Sequence, residues 1–300
     1  MPPAESRARA VITARSRTLL DRYALASRAL SRESGERMAT EAGQSVEFHD
    51  FRPYQFGDEL RYVDWRVYAR TGRLVTRLYQ AERAIRLHVL LDTSASMGLG
   101  GKARFARALT ELLVYVAQRD APTQLHLFDG SRSRPAQGLA AVGESWRFVE
   151  ESATLRGPEH APVTSLKKFA LSLPPVRGAA LALVVSDFLE DAPLQGALAA
   201  LRARGLDAGL LQVMSEVDLE PAEGQLELVD VETGERLLAG PQEVRAYRQE
   251  VHAFVRRTRV AALRAGFRHV LLRVQPEAGA AELERQAFAS LVRQGVLIRR

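Results

Sequence analysis

The chain has 300 residues, of which 46% are hydrophobic and 26% are charged, as in an ordinary globular protein. It contains no cysteine, which excludes disulfides, thiolate metal sites and cysteine nucleophiles. The net charge is +6, but acids are interleaved with the basic residues, so we expect no nucleic-acid partner. No apolar run approaches the roughly 20 residues of a membrane helix, and the N-terminal residues lack the apolar core of a secretory signal. We therefore expect a cytoplasmic protein without a membrane partner.

Three regions follow one another along the chain. Residues 4 to 31 carry sparse apolar positions among Ala and Arg, which predicts an amphipathic N-terminal helix, and a polar joint extends it to residue 43. From 44 to 86, aromatic side chains alternate with acids and arginines, which predicts an irregular, ion-paired segment. From 87 to 300, apolar strands alternate with helical stretches, which is typical of one α/β domain.

The α/β region predicts a doubly wound, mostly parallel sheet of six strands. Its strand and helix candidates are defined by apolar runs and by amphipathic spacing. The candidate strands are 87–91, 124–128, 180–186, 208–214 and 268–274. The candidate helices are 102–118, 145–153, 165–173, 194–204, 243–264 and 280–292. Alternating residues over 226 to 238, around Thr233 and Gly234, predict a small hairpin inserted between the last two strands.

The first predicted strand ends in a polar motif. The apolar run 87–91 is followed directly by Asp92, and Ser94 and Ser96 come next at alternate positions. In open α/β sheets, ligands bind outside the carboxyl ends of the strands. Carboxylate and hydroxyl oxygens are the ligands that Mg²⁺ prefers, and Mn²⁺ accepts the same ones. The motif therefore predicts a divalent-cation site at this edge of the sheet.

Two further residues complete the predicted ligand set. Asp187 leaves the apolar strand 180–186 as Asp92 leaves its own strand, and Thr164 stands just before the helix 165–173. Each has a purely structural alternative: Asp187 could cap a helix or close a turn, and Thr164 could be an ordinary helix N-cap. We predict that Thr164 and Asp187 complete the site, either directly or through water.

The Asp-x-Ser-x-Ser pattern, with a strand before it and a helix after it, resembles the metal-ion-dependent adhesion site of von Willebrand factor A domains. The resemblance implies an open coordination position that is filled by a carboxylate of a partner protein. This would be binding chemistry rather than catalysis. The sequence shows no Gly-x-Ser-x-Gly elbow and no Gly-x-x-x-x-Gly-Lys phosphate loop, so no complete catalytic motif supports an enzyme.

The segment before the sheet carries a longer pattern of acids, arginines and aromatics. Its fixed positions are Glu47, Phe48, Arg52, Tyr54, Gly57, Asp58, Arg61, Asp64 and Trp65. This run resembles the signature of bacterial domain-of-unknown-function family 58, in which it precedes a von Willebrand A-like sheet. The resemblance implies a MoxR-type AAA+ ATPase partner and a role in protein maturation or chaperoning. One departure is that Pro162–Leu166 replaces the Gly-Gly-Thr-Asp-Leu run common in that family.

We expect a Mg²⁺-dependent protein-binding adaptor that acts with such an ATPase on a client offering an acidic residue. Two alternatives stay open at this point: a metal-dependent hydrolase that uses the same aspartates and serines, and a metal-free scaffold in which these residues only cap helices. The conspicuous residues of the signature likewise have two interpretations, as scaffold or as partner contacts. They are Asp58, Arg61, Asp64, Trp65 and Arg66.

Overall fold

The computed structural model describes residues 14–25, 46–81, 86–152, 165–173, 180–189, 193–222, 224–229 and 236–299. The chain divides into two compact units, Ser31–Ala84 and the remainder, which joins Met1–Leu30 to Ile85–Arg300. In the part of the chain that the structure describes, no helix is both long enough and apolar enough to cross a membrane.

The described residues form helices and strands with the following bounds. In chain order they are α1 (Ala14–Leu20), β1 (Tyr23–Leu25), β2 (Val46–Pro53), α2 (Trp65–Thr71), β3 (Val75–Ala81), β4 (Arg86–Leu91), α3 (Lys102–Asp120), β5 (Thr123–Leu127), α4 (Leu139–Ser152), α5 (Leu166–Ser172), β6 (Ala180–Ser186), α6 (Leu194–Ala203), β7 (Leu206–Ser215), α7 (Glu216–Leu219), β8 (Leu226–Val229), β9 (Arg236–Ala239), α8 (Pro241–Arg264), β10 (Arg268–Val274), α9 (Ala280–Arg293) and β11 (Leu297–Arg299). Short 3₁₀ turns occupy Leu60–Tyr62 and Ala95–Gly98.

The larger unit is built on a parallel sheet with the strand order β10-β7-β6-β4-β5. All five candidate strands are present, and the predicted α/β class is confirmed. The predicted number of six strands is not met, because the described residues contribute five strands to this sheet. β8 and β9 pair with each other, antiparallel, at the position of the predicted hairpin. The turn around Gly234 lies outside the described residues.

Helices cover both faces of the parallel sheet. α3, α4 and α9 contribute to one buried cluster, and α5, α6 and α8 contribute to the other. Within β4, Val89 and Leu91 face the first cluster while Leu90 faces the second, as the two-residue period of a strand requires. The chain leaves β4 toward β5 on one side and returns to β6 on the other side. The sheet is therefore doubly wound, and its topological switch point lies between β4 and β6.

The N-terminal region differs from the single helix predicted over 4 to 31. Helix α1 ends at Leu20, and Tyr23–Leu25 forms a strand that pairs antiparallel with Leu297–Arg299. Tyr23 also packs edge-on against Phe288 of α9, with ring centroids 5.1 Å apart. Pairing with the distant C-terminal strand thus overrides the local helical pattern at these residues. The remainder of the range 4 to 31 lies outside the described residues.

In the smaller unit, the acidic residues of the signature hold the segment together. Asp64 is the N-cap of α2 and accepts hydrogen bonds from the backbone N–H groups of Arg66 and Val67, and Arg77 pairs with its other oxygen at 2.8 Å. Asp58 accepts hydrogen bonds from the Gln55 backbone, the Arg52 guanidinium and the Thr76 hydroxyl. These donors, first of all the Gln55 N–H, hold the pKa of Asp58 below its usual range.

The aromatic residues of the same segment are exposed. Trp65 is 54% exposed and packs edge-on against Tyr68, which is itself exposed. Arg61 and Arg66 are also exposed. Of the two interpretations of the signature, scaffold therefore describes Asp58 and Asp64, whereas the side chains of the other three residues are available to contact a partner.

Candidate functional site

Asp92 and Asp187 lie side by side at the carboxyl edge of the sheet. β4 and β6 are paired in parallel, and each aspartate is the first residue after its strand. The two residues therefore flank the switch point, where doubly wound sheets bind ligands. Both are buried, with 4% of Asp92 and 1% of Asp187 exposed. The sequence prediction that these residues meet is consistent with this geometry.

Asp92, Asp187 and the polar side chains around them form a polar cluster at this edge. In its oxygen-rich half, the Asp92 carboxylate accepts two hydrogen bonds. Its Oδ1 accepts a hydrogen bond from the Ser94 backbone N–H at 2.8 Å, and its Oδ2 accepts one from the Ser186 hydroxyl at 2.5 Å. The hydroxyl oxygens of Ser94 and Ser96 lie 3.1 Å apart. Three predicted ligands, Asp92, Ser94 and Ser96, are thus brought together on one short loop.

Asp92 is electrostatically unfavourable as a carboxylate in this place. Burial, and after it the negative charge of Asp187, raise its pKa to about 6 against the opposing hydrogen bonds of Ser186 and Ser94. A buried carboxylate beside another carboxylate is stabilised by a cation. The position therefore favours a positively charged ligand.

Asp187 is held by its own loop, by β7 and by α3. Its Oδ1 accepts a hydrogen bond from the Leu189 N–H, and its carbonyl accepts one from the buried amide of Gln212 on β7. Its Oδ2 accepts a hydrogen bond from the Lys102 ammonium at 2.8 Å. The next residue, Phe188, is buried with φ 60°, a backbone conformation that is uncommon for a bulky residue and costs free energy.

Lys102 and Asp218 belong to the cluster, and the sequence analysis missed both. Lys102 is 1% exposed, and its Nζ lies 3.0 Å from Asp218 Oδ2 as well as 2.8 Å from Asp187. A sequence signal exists for each residue. Lys102 opens α3, where the helix dipole disfavours a cation, and Asp218 closes a capping box with Ser215 directly after an apolar strand.

A close approach of two loops brings Lys102 to this place. Gly100 has φ +58°, and a Cβ built on it would lie 2.2 Å from the Ser215 hydroxyl oxygen. Only glycine fits there, because both the backbone conformation and the space exclude a side chain. The loop after the Asp-x-Ser-x-Ser motif therefore packs against the end of β7, and the first turn of α3 points Lys102 at Asp218.

Thr164 lies outside the described residues, so its predicted ligand role stays a prediction. The alternative that Thr164 is the N-cap of this helix is wrong. Helix α5 begins at Leu166, and its N-cap is Ser165, whose hydroxyl accepts a hydrogen bond from the Lys168 N–H. Ser165 is also the residue at which the sequence departs from the family's usual aspartate.

The oxygen half of the cluster fits a hard cation. Mg²⁺ binds oxygen at 2.0–2.1 Å in octahedral geometry, so adjacent ligands lie about 3 Å apart, close to the separation of the Ser94 and Ser96 hydroxyls. Within the described ranges, no group of three or more His, Cys, Asp or Glu side chains could hold a metal ion. A cation site here would be rich in hydroxyls, as the motif predicts.

The Asp-x-Ser-x-Ser pattern occurs a second time, at Asp129, Ser131 and Ser133, where its side chains take part in a turn. Asp129 accepts a hydrogen bond from the Ser131 N–H. The Ser133 hydroxyl accepts one from the Leu125 N–H and donates one to the Arg134 carbonyl. Its hydroxyl is therefore used by the backbone, whereas the hydroxyls of Ser94 and Ser96 face each other. This repeat supplies a natural control for the first motif.

His88 on β4 and His126 on β5 form a pair that the sequence did not indicate. Their ring nitrogens, Nδ1 and Nε2, lie 3.1 Å apart, and the His126 ring packs edge-on against Phe169. Burial, with a smaller effect of nearby positive charges, lowers the pKa of His88 to about 4 and that of His126 to about 3. Both rings are therefore neutral in the folded protein at neutral pH.

We expect this pair to make the fold acid-sensitive. Because the folded-state pKa values lie below 6.5, the unfolded chain takes up protons first, and the contribution of this pair to the free energy of unfolding falls as the pH drops from 6.5 to 4. Asp92, whose pKa is raised to about 6, contributes with the opposite sign and offsets part of the fall. The loss from His88 alone is about 3 kcal/mol. Urea unfolding across this range should show the fall, and the double variant His88→Val/His126→Leu should show a smaller one. Part of the fall remains in the variant because burial also lowers the pKa of His269 to about 4. His252→Gln, at a half-buried position on α8 away from the pair, should behave like wild type. Equal slopes for wild type and the double variant would contradict the assignment.

The sequence comparison identifies the family. The family model described as "Protein of unknown function DUF58" matches residues 50–261. The chain belongs to the DUF58 family. Relatives are uncharacterized proteins of Mycobacterium bovis and Mycobacterium tuberculosis, each 28% identical over an alignment of 218 positions that covers 67% of this chain. The matched part spans 65% of the length of these relatives.

Solved structures similar to this DUF58 chain include three bacterial proteins. An aerotolerance-related membrane protein from Bacteroides fragilis is 15% identical, with a TM-score of 0.40 over 70% of this chain and 100% of its own. BatB, a conserved hypothetical protein from Bacteroides thetaiotaomicron, is 16% identical, with a TM-score of 0.40 over 68% and 100%. A von Willebrand factor type A structure from Catenulispora acidiphila is 13% identical, with a TM-score of 0.36 over 74% and 45%.

Proposed function

We propose that this DUF58 chain is a protein-binding adaptor whose binding site is the carboxyl edge of the parallel sheet. In this proposal, Asp92, Ser94 and Ser96 hold a Mg²⁺ or Mn²⁺ ion, with Thr164 and Asp187 as the remaining predicted ligands. A client supplies an acidic side chain to the open coordination position. The observation that carries the proposal is the pair of facing hydroxyls beside a buried carboxylate whose pKa is raised.

The proposed ATPase partner is of the MoxR type, and the proposed role is protein maturation or chaperoning. The support for this partner is membership of the DUF58 family, because the partner was predicted from the resemblance to that family. The smaller unit offers a surface on which such a partner could be sought, since Trp65, Tyr68 and Arg66 are exposed. The cytoplasmic location also stays a prediction.

The test is capture of the tagged chain from its own cell lysate, with Mg²⁺ and with EDTA, followed by mass spectrometry. Partners that bind only with Mg²⁺ should be lost from Asp92→Asn. They should be retained by Asp129→Asn, which changes the matching aspartate of the second, turn-forming motif. Partners that bind equally with EDTA would contradict a cation-dependent adaptor, and the exposed residues of the smaller unit would then be tested as the interface.

Saturation with Mg²⁺ should also stabilise the fold. At a hundred times the dissociation constant, a ligand that binds only the folded state adds about 2.7 kcal/mol, which raises the melting temperature by roughly 5–10 °C. Differential scanning calorimetry with MgCl₂, and with NaCl at equal ionic strength, measures this shift. An unchanged melting temperature would favour the alternative of a metal-free scaffold.

A further inference from the structure

The Lys102 ammonium lies between the carboxylates of Asp187 and Asp218. Its Nζ lies 2.8 Å from Asp187 Oδ2 and 3.0 Å from Asp218 Oδ2. Lys102 and Asp187 are each 1% exposed, so water is largely excluded from the pair. A compact ammonium between two carboxylates is in effect a monovalent cation tethered to the chain.

This internal ion pair is not easily opened. Burial alone would lower the pKa of Lys102, but the charges of Asp187 and Asp218 outweigh burial and raise it, so the side chain stays charged. Removing one partner of a buried ion pair leaves the other charge uncompensated, which is strongly destabilising. The packing of Gly100 against Ser215 further holds the start of α3 in place.

The cluster therefore has two halves of different character. In one half, Asp92 receives hydrogen bonds from the Ser94 N–H and the Ser186 hydroxyl, and the hydroxyls of Ser94 and Ser96 face each other. In the other half, Lys102 neutralises part of the charge of Asp187 and Asp218. The single aspartate of the first half offers a divalent cation little charge compensation.

We infer that Lys102 is the permanent counter-ion of Asp187 and withholds this carboxylate from a divalent cation. This inference rests on the proposed cation site at Asp92, Ser94 and Ser96, and it takes Asp187 out of the set of direct ligands. Asp92, Ser94 and Ser96 then bind Mg²⁺ weakly on their own, because Mg²⁺ gains affinity from each additional carboxylate. The acidic side chain of a client supplies the missing charge, so cation and client bind cooperatively.

The test is isothermal titration calorimetry of the full chain with MgCl₂ alone. The decisive variant is Lys102→Met/Asp218→Asn, which removes one positive and one negative charge and so preserves the net charge of the cluster. Because Asp187 is released while the net charge is unchanged, we expect this variant to bind Mg²⁺ roughly tenfold more tightly than wild type. Arg293→Met, at an exposed residue of α9, controls for loss of a positive charge elsewhere and should bind as wild type.

The outcomes separate the inference from the proposed function. If wild type and the double variant bind Mg²⁺ with equal affinity, the inference fails and the proposed cation site stands. If neither binds Mg²⁺, both fail. Circular dichroism of the double variant confirms that the fold is retained.

A second measurement needs no substitution. In wild-type protein labelled with ¹⁵N-lysine, the buried Lys102 ammonium should give a signal protected from exchange with water. Saturation with Mg²⁺ should leave that signal in place. Loss of protection on Mg²⁺ binding would show that the ion displaces Lys102 from Asp187 and would overturn the inference.

Discussion

Lys102→Met should lower the free energy of unfolding by about 3–5 kcal/mol, because the carboxylates of Asp187 and Asp218 lose the buried ammonium with which both are paired. This loss is a large share of the total stability of a typical domain and should lower the melting temperature by about 10 °C. Urea and thermal unfolding at neutral pH measure both quantities.

The controls for this prediction use the same cluster and the same residue type. Adding Asp218→Asn to Lys102→Met should recover part of the loss, since one of the two uncompensated charges is removed. Lys168→Met, at an exposed lysine of α5, should change the free energy of unfolding by less than about 0.5 kcal/mol. A Lys102→Met protein as stable as wild type would mean that the pair with Asp187 is not closed in solution.

Asp92→Asn should have the opposite effect on stability while abolishing the response to Mg²⁺. The folded-state pKa of Asp92 is raised from 3.8 to about 6, so at pH 7 the buried carboxylate costs about 3 kcal/mol relative to the unfolded chain. Asparagine keeps the shape and the acceptor for the Ser94 N–H without the charge. We expect a gain of up to about 3 kcal/mol at pH 7. A residue that is unfavourable for folding but required for binding marks a functional site.

The predicted gain in stability from Asp92→Asn can be checked by the way it changes with pH. Below a pH of about 4, Asp92 is protonated in both the folded and the unfolded state, so the advantage of asparagine should shrink as the pH falls from 6 to 4. Asp129→Asn, in the second motif, should show no comparable gain. Destabilisation by Asp92→Asn at pH 7, together with an unchanged response to Mg²⁺, would identify Asp92 as a structural residue.

The sequence was sufficient to predict the parallel sheet and the meeting of Asp92 with Asp187. Both predictions depend on local patterns: apolar runs define the strands, and a polar residue after each strand is placed at the common carboxyl edge by parallel pairing. The helix predicted over Tyr23–Leu25 was wrong because those residues pair with a strand that is more than 270 residues distant in the chain.

Partnerships that depend on register could not be read from local patterns. His88 and His126 meet because β5 lies beside β4, with Leu90 opposite His126, although they are 38 residues apart in sequence. The motif itself is ambiguous, since the same pattern at Asp129 is a turn. The two cases differ in the structure, where the Ser133 hydroxyl bonds to the backbone and those of Ser94 and Ser96 face each other. Asp218 could have been found from its capping box, but its contact with Lys102 could not.

Because Lys102 is buried, the chemical reactivity of its amine can report local opening of the sheet edge. The chain has only three lysines, and the other two, Lys167 and Lys168, are exposed on α5. An amine-directed acylating reagent should therefore label α5 rapidly in the native protein and reach Lys102 only when the edge of the sheet opens. Mass spectrometry of the digested protein would then follow a single buried amine against two exposed ones, and so time local opening without any engineered probe.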